Sequence, residues 1–557
     1  MKTCIACQQL YEVTDMERLF LEKISPVIGG QKFTIPEPSE CPDCRLMSRV
    51  GHRNEQYMYH NVSSVTGKPL IALYSPDTEW GKKYKMMTHE EWWSDDWDGM
   101  NFGRDFDFNR PFFEQFHELC VEIPHVNLIQ VQNENSPFTT GTGYCKNCHL
   151  INCSENCEDC MYGKLIQNSR DVIDSDYIYS SEMLYECFNV TNCNNCVYIS
   201  YSQNSFDCGF SENLKGCRNC FLCTNLNNKE FYFMNKRVTP EEYAQKVAEF
   251  LGSKDAVAKA KEVLRDLRMK RIRKYANIVN CENSSGDFLT NCQNCTDCYD
   301  VNDSQDCKYV HVGVNVRDIV DCSNMYLKPE LNYQVMGTIE TYSVIFSLYV
   351  FHSQNVMYSE FCFNSSNLFG CSGLRKKQYC IFNKQYTKEE YEILVPKIIQ
   401  HMVKTGEWGK MFPLWMSPYG YNESVAMEYL PLTKEQVMSR GGHWKEKDQR
   451  DYKPQTYIVP DAISDCPDDI LKELLACERC GKNFRVILKE LTRLRDSRLP
   501  IPAKCPECRH LERMELRNPP KLYARTCMKC EASIETTYPE GSPEVVTCEK
   551  CYLEAVY

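Results

Sequence analysis

The stretch that decides the fold reads in lines of twelve: CKNCHLINCSEN (145–156), CEDCMYGKLIQN (157–168), SRDVIDSDYIYS (169–180), SEMLYECFNVTN (181–192), CNNCVYISYSQN (193–204), SFDCGFSENLKG (205–216) and CRNCFLCTNLNN (217–228). The first column holds Cys or Ser, the fourth Cys, Val or Leu, and the last Asn, Ser or Gly. A fixed short period of this kind predicts a β-solenoid, in which each unit buries its apolar side only against its neighbours. Cys serves there as a small hydrophobe and Ser replaces it by size. Asn suits the sharp corner because it tolerates left-handed backbone. Val172 and Leu184 share a column with Cys148, Cys160 and Cys196, so these cysteines read as interior side chains. The competing reading gathers a metal or cluster on Cys145, Cys148, Cys157 and Cys160, or on Cys292, Cys295 and Cys298. The register suits coils of twelve or twenty-four residues, and twenty-four is preferred for its larger apolar area per coil.

The pattern returns. A second Cys-rich stretch starts at Cys281, with Cys292-x2-Cys295 followed twelve residues on by Ser304-x2-Cys307, and its phase later shifts by one residue. Residues 217–243 align without gaps to residues 365–391, sharing Cys223/Cys371, Leu226/Leu374, Lys229/Lys377, Asn235/Asn383, Thr239/Thr387 and the EEY triplet. Thr239 as N-cap and Pro240 at the first helical position open a helix there. It runs on to about Tyr275 with a break at Gly252, ending in the basic run RDLRMKRIRK. The centre of the chain is therefore a duplication of solenoid and helix.

Both ends carry paired CxxC knuckles: Cys4/Cys7 with Cys41/Cys44, Cys477/Cys480 with Cys505/Cys508, and Cys527/Cys530 with Cys548/Cys551. Two knuckles supply the four thiolates of a closed, tetrahedral structural zinc site, and the metal contributes folding free energy that so short a segment lacks. About three Zn2+ per chain follow. The two ends are themselves related, since CPDCRLMSRVGHRN (41–54) and CPECRHLERMELRN (505–518) share CPxCR, two further Arg and the final Asn. Ser63 and Thr66 then stand where the C-terminal copy has Cys527 and Cys530, so the N-terminal copy keeps one zinc site and has lost the second. On the helix expected after CPxC, Arg45, Arg49 and Arg53 share one face, as do Arg509, Arg513 and Arg517, with Lys521 and Arg525 beyond. Such faces contact nucleic-acid phosphates, or else pack and pair with local acids such as Glu55 and Glu512.

The motifs CxxC, CPDCRxxxRxxxRNE, WWSDxWD, DFDFxRPFFEQF, the NC-rich repeats, GEWGxxFP and SPYGYNE resemble those of a group of uncharacterised zinc-binding proteins encoded by uncultivated bacteria with reduced genomes. The CPDCR end is also similar to a widespread bacterial zinc-ribbon domain. The resemblance covers nearly the whole chain and implies zinc, without an activity to carry over. In that family a second CxxC pair normally precedes WWSD; here Ser63, Thr66 and a position near Glu91 replace it.

The fold class is thus mixed and β-rich: a duplicated Cys/Asn-rich β-solenoid with inserted α-helices, flanked by zinc-ribbon or treble-clef modules. The expected division is an N-terminal zinc module (1–91), a Trp/Asp-rich docking segment (92–132), a first solenoid (133–238), a helical insert (239–276), a second solenoid (277–386), a helical and aromatic wrap (387–442), a linker (443–470) and a C-terminal double zinc module (471–557). A formal charge of −12 argues against a general nucleic-acid coat. The 35 cysteines, with no export signal at the start, point to reduced thiols and a cytoplasmic protein without membrane insertion. No HExxH, GxSxG, P-loop or dinucleotide fingerprint is present. The expected function is a non-enzymatic binding or scaffold protein that recognises a macromolecule, protein or nucleic acid. RNA binding through the arginine faces is the alternative, and a polymer-acting enzyme on the solenoid the second.

Overall fold

The computed structural model describes residues 1–556. Among these residues it holds twelve α-helices and two sheets of thirteen strands each. The first sheet runs from Thr139–Thr140 to Lys236–Arg237, the second from Ile278–Val279 to Lys384–Gln385.

Nearly all pairing in both sheets is parallel and joins a residue to the one twelve later. Val172 pairs with Leu184 and Leu184 with Cys196; Lys164 pairs with Asp176, Asp176 with Phe188 and Phe188 with Ser200. The preference for twenty-four residues is therefore corrected to twelve. The cause lies in the backbone. From Tyr144 to Met234 every third residue has positive φ, Gly216 included, so the chain turns a corner every three residues and four corners complete the repeat. The strands Met161–Gln167 and Asn194–Gln203 run across corners and pair on two branches each. Together with Arg170–Ile173, Asp176–Tyr179, Glu182–Tyr185 and Phe188–Thr191 they form a closed ring of six parallel strands.

A left-handed corner costs an L-residue roughly 1–2 kcal/mol, least for Asn and Asp. The chain meets that cost differently on different sides. Corners facing solvent carry Asn156, Asn168, Asn192, Asn204 and Asn228, or Asn147, Asp159, Asp171 and Asn195. Their amides bond from one repeat to the next, as in Asn156 Nδ2 to Asn168 Oδ1 (3.1 Å) and Asn192 Nδ2 to Asn204 Oδ1 (2.6 Å). Covered corners carry Tyr162, Tyr177, Phe210 and Leu222, all buried, where apolar burial offsets the strain.

Inside, one residue in three points inward, and the buried series Cys157, Cys160, Ile166, Val172, Ile178, Leu184, Cys187, Val190, Cys193 and Cys196 forms a single apolar cluster. Cys and Ser interchange there because both find backbone partners. Cys157 Sγ donates to Glu155 O and Ile166 O; Ser169 Oγ donates to Gln167 O and accepts from Ser181 N. The phase shift in the second sheet is one pairing step of thirteen, Arg317 to Glu330, absorbed by two successive left-handed residues, Leu327 and Lys328.

Each sheet ends in an antiparallel hairpin followed by a helix whose N-cap threonine, Thr239 or Thr387, closes a capping box. The helices Pro240–Ala248 and Lys254–Lys270 flank Gly252, at φ 98°. Arg268 and Arg271 from the basic run turn onto the buried Glu212, so that run is in part a joint rather than a basic surface. The Trp/Asp-rich segment lies on the second sheet: Trp92 packs on Phe363, Phe112 on Tyr358, Phe369 and Phe382, and Asp98 and Asp105 reach Lys377 (2.5 Å) and Lys384 (2.6 Å). No helix among the described residues is long and apolar enough to cross a membrane.

Candidate metal centres and the joints that seat them

Three groups of four cysteines bring their Sγ atoms within 4.8 Å of one another: Cys4, Cys7, Cys41 and Cys44; Cys477, Cys480, Cys505 and Cys508; Cys527, Cys530, Cys548 and Cys551. In each, one CxxC sits on a tight turn and the other opens a helix. Cys41 and Cys505 are the N-caps of Pro42–Val50 and Pro506–Met514, with Pro at the first helical position. Tetrahedral zinc–thiolate bonds of about 2.3 Å put sulfurs about 3.8 Å apart. The separations Cys7–Cys41 (3.6 Å), Cys480–Cys505 (3.8 Å) and Cys530–Cys548 (3.7 Å) match that edge, so the donor sets fit a closed structural zinc.

The cysteines of the two large sheets form no such group among the described residues. Cys145 donates to Gly143 O and Cys148 to Lys146 O, the thiols being used by the backbone. A Cys157→Ser/Cys160→Ser protein is therefore expected to keep the metal content of the parent and to melt within a few degrees of it, by elemental analysis and calorimetry.

The N-terminal positions that match the last cysteine group of the C-terminal copy hold a hydrogen-bonded cluster. Thr88 is the N-cap of the helix His89–Trp93 and Glu91 its third residue, the places that Cys548 and Cys551 hold at the helix Glu549–Val556. Ser63 Oγ donates to Glu91 Oε2 (2.7 Å), Thr66 Oγ1 to Glu91 Oε1, and Thr88 N to Glu91 Oε2 (2.9 Å). One carboxylate thus ties together the four positions that Cys527, Cys530, Cys548 and Cys551 occupy in the C-terminal copy. Replacing Ser63, Thr66, Thr88 and Glu91 together by Cys is expected to add one zinc per chain by elemental analysis; an unchanged content would show that the backbone there has drifted from the knuckle geometry.

The arginines of the CPxCR helices are where sequence and structure part. Arg45, Arg49 and Arg53 are 2 %, 0 % and 8 % exposed, and Arg509 and Arg513 are 2 % and 3 %. Arg45 Nε meets Asp321 (2.7 Å), and Arg49 Nη1 meets Gln334 (3.1 Å). Arg509 pairs with Asp174 (3.1 Å) and Glu490 (2.7 Å), and Arg513 with Asp176 (2.7 Å) and Glu186 (3.1 Å). Burial alone would lift the Asp176 carboxyl, yet the Arg513 and His510 beside it hold it well below the usual carboxylate range. These five arginines lie in buried contacts that seat each module on a sheet, rather than on the open face that phosphate contact would use.

The joints repeat one plan. Glu17 and Glu490 each lie ten residues after their second knuckle cysteine and meet Arg45 (3.5 Å) and Arg509 (2.7 Å). That equal spacing was legible in the chain and was the available signal for the buried partner. Gln334 stands 148 residues after Glu186, inside the duplicated register. The third arginine of each set leaves the plan expected for it, because the helices end at Val50 and Met514. Arg53 instead extends to Glu55 and to Cys153 of the first sheet, and Arg517 to Asp300 of the second. The module on one sheet therefore grips the other as well. Glu55 receives Lys164 (2.7 Å), which also meets Glu428 (2.7 Å). Glu512, expected beside the arginine face, pairs with Lys504 (2.5 Å). Lys521 is exposed and lies 3.6 Å from Asp43; Arg525 donates to Ser542 Oγ (2.7 Å). Asp43 and Glu507 sit inside the CPxC turns, and Glu507 accepts from Tyr57 (2.8 Å), so each module also holds a turn of the other.

No family model matches this chain, and no curated protein matches it. Among solved structures it is similar to a crystal structure described as an acetyltransferase from Desulfovibrio desulfuricans G20, at 8 % identity over 40 % of this chain, with a TM-score of 0.11. The match spans 65 % of that chain. A likeness of that size carries no argument about fold or activity.

The buried ladders, not a fold relative, thus define the site. What the arrangement does chemically is hold: twelve thiols placed for three metals, and arginines and acids spent on joints between modules and sheets.

Proposed function

We propose that the chain is a zinc-containing, non-enzymatic scaffold or binding protein, in which two β-solenoids of twelve residues per turn are clamped by zinc modules and offer their outer faces to a macromolecule. The observation that carries this reading is the use of the charged groups. The arginines and carboxylates that a catalytic or phosphate-binding surface would draw on are buried in the joints, while the uncovered faces carry amide ladders such as Asn192–Asn204 and Asn355–Asn367 at a constant repeat. A regular array of amides, each both donor and acceptor, suits recognition of an extended or repetitive partner. The resemblance to zinc-binding proteins of reduced-genome bacteria agrees with it, and the reduced thiols agree with a cytoplasmic setting.

Affinity capture from the native cell tests the reading. The expected result is one saturating macromolecular partner whose capture is lost on Asn192→Arg/Asn204→Arg with zinc content unchanged. Capture indifferent to those changes would contradict it. Salt-sensitive retention on RNA that depends on Lys521 and Arg525 would instead favour the nucleic-acid reading.

A further inference from the structure

Each large sheet has two ends, and three of the four are closed by an asparagine. At the start of the first sheet Asn133 Oδ1 accepts from Cys145 N (3.0 Å), while its amide donates to Thr142 Oγ1 (2.7 Å). At the far ends Asn235 Oδ1 accepts from Thr224 N (2.8 Å) and Asn383 Oδ1 from Ser372 N (2.9 Å). The start of the second sheet differs. The place of Asn133 is taken by Cys281, whose Sγ accepts from Cys292 N (3.3 Å) and which is partly exposed. A cavity of about 580 Å³ opens there, between Ile278, Asn280, Cys281, Asn283 and Ser284 on one side and Tyr275 and Glu549 of the third metal knuckle on the other.

The mouth of this cavity is an unfinished hydrogen-bond ladder. One turn on, the corner asparagines are bonded on both sides: Asn291 Oδ1 accepts from Asn280 and Asn291 Nδ2 donates to Asp303 (2.9 Å), and Asn294 Oδ1 accepts from Asn283 while Asn294 Nδ2 donates to Asp306 (2.8 Å). Likewise Asn291 N donates to Val279 O and Asn294 N to Glu282 O. Asn280 and Asn283 donate onward through their amides, but among the described residues nothing donates to their Oδ1 atoms or accepts from their backbone N–H groups. An edge of unpaired backbone groups is a template for another strand.

We infer that this cavity is a binding site for an extended peptide segment of a partner protein, which adds one more turn to the second sheet and carries amide side chains three residues apart to meet Asn280 and Asn283. The spacing is that of the sheet's own next turn, Asn291-x-x-Asn294. The cavity volume lies in the range of specific ligand sites and holds a strand of a few residues. Tyr275 and Glu549 also line the cavity. The inference deepens the binding-protein reading, on which it rests.

The probe is a labelled peptide of residues 289–302 bearing Cys292→Ser, Cys295→Ser and Cys298→Ser, titrated into the full, zinc-loaded chain by fluorescence anisotropy. Saturable 1:1 binding is expected, weakened at least tenfold by Asn280→Leu/Asn283→Leu and abolished by Ser284→Trp, with slowed hydrogen exchange at residues 280–284 of the unmodified protein. A peptide with Asn291→Leu and Asn294→Leu, which lacks the amide donors for the Asn280 and Asn283 Oδ1 atoms, is expected to bind at least tenfold more weakly. No binding at millimolar peptide, or equal binding by the Leu peptide, overturns the inference. Partner capture through the outer asparagines would survive that result, so the two failures are distinguishable. Should the Trp variant not fold, the hydrogen-exchange pattern of the parent decides alone.

Discussion

A Cys505→Ser/Cys508→Ser protein is expected to bind one zinc fewer per chain than the parent and to lose its C-terminal module as a folded unit. Structural zinc contributes on the order of 10 kcal/mol or more to a small knuckle domain. Here the loss propagates, because Cys505 caps the helix that carries Arg509 and Arg513. Without the metal the helix start is unpinned, and the carboxylates Asp174, Asp176, Glu186 and Glu490 lose their cations. Limited proteolysis should therefore cut within the C-terminal module while the second sheet, with its own module, stays resistant. An unchanged metal content would remove this cysteine group from the account.

Arg513→Met is the second large effect. The guanidinium is 3 % exposed and faces Asp176 at 2.7 Å, Glu186 at 3.1 Å and Asp174 at 3.5 Å. Removing one partner of a buried ion pair costs about 3–5 kcal/mol, because the remaining charges are buried without compensation. The expected loss is of that size in denaturant unfolding, with zinc content unchanged. A matching change at the exposed Lys521 should cost less than about 1 kcal/mol. Equal effects at both positions would mean that the arginine ladder is not the joint.

The architecture was legible in the chain to the extent that its period was. Columns of Cys/Ser and Asn at twelve residues marked the inward side chains and part of the corners, and Asn235 and Asn383, 148 residues apart, stand at the same place at the far ends of the two sheets. Two things were hidden. The underlying period of three was masked because only two of the four corners on each turn carry Asn or Asp consistently; the covered corners hold Tyr162, Tyr177 and Phe210, which no local rule assigns to left-handed backbone. The role of the arginines was hidden for a different reason. A one-face ladder has the same helical spacing whether it meets phosphate or carboxylate, and the acids that answer it, Asp174, Asp176 and Asp321, lie on sheets far away in sequence. The knuckle cysteines needed no tertiary information, because both halves of each ligand set are written as CxxC.

We propose that the three cysteine groups hold three structural zincs in modules that join the two sheets. The most direct test is elemental analysis combined with zinc-edge X-ray absorption on protein purified without chelator or added metal. The predicted result is three zinc ions per chain, each with four sulfur neighbours at about 2.3 Å. A content near zero, or mixed nitrogen and oxygen ligation, would contradict it.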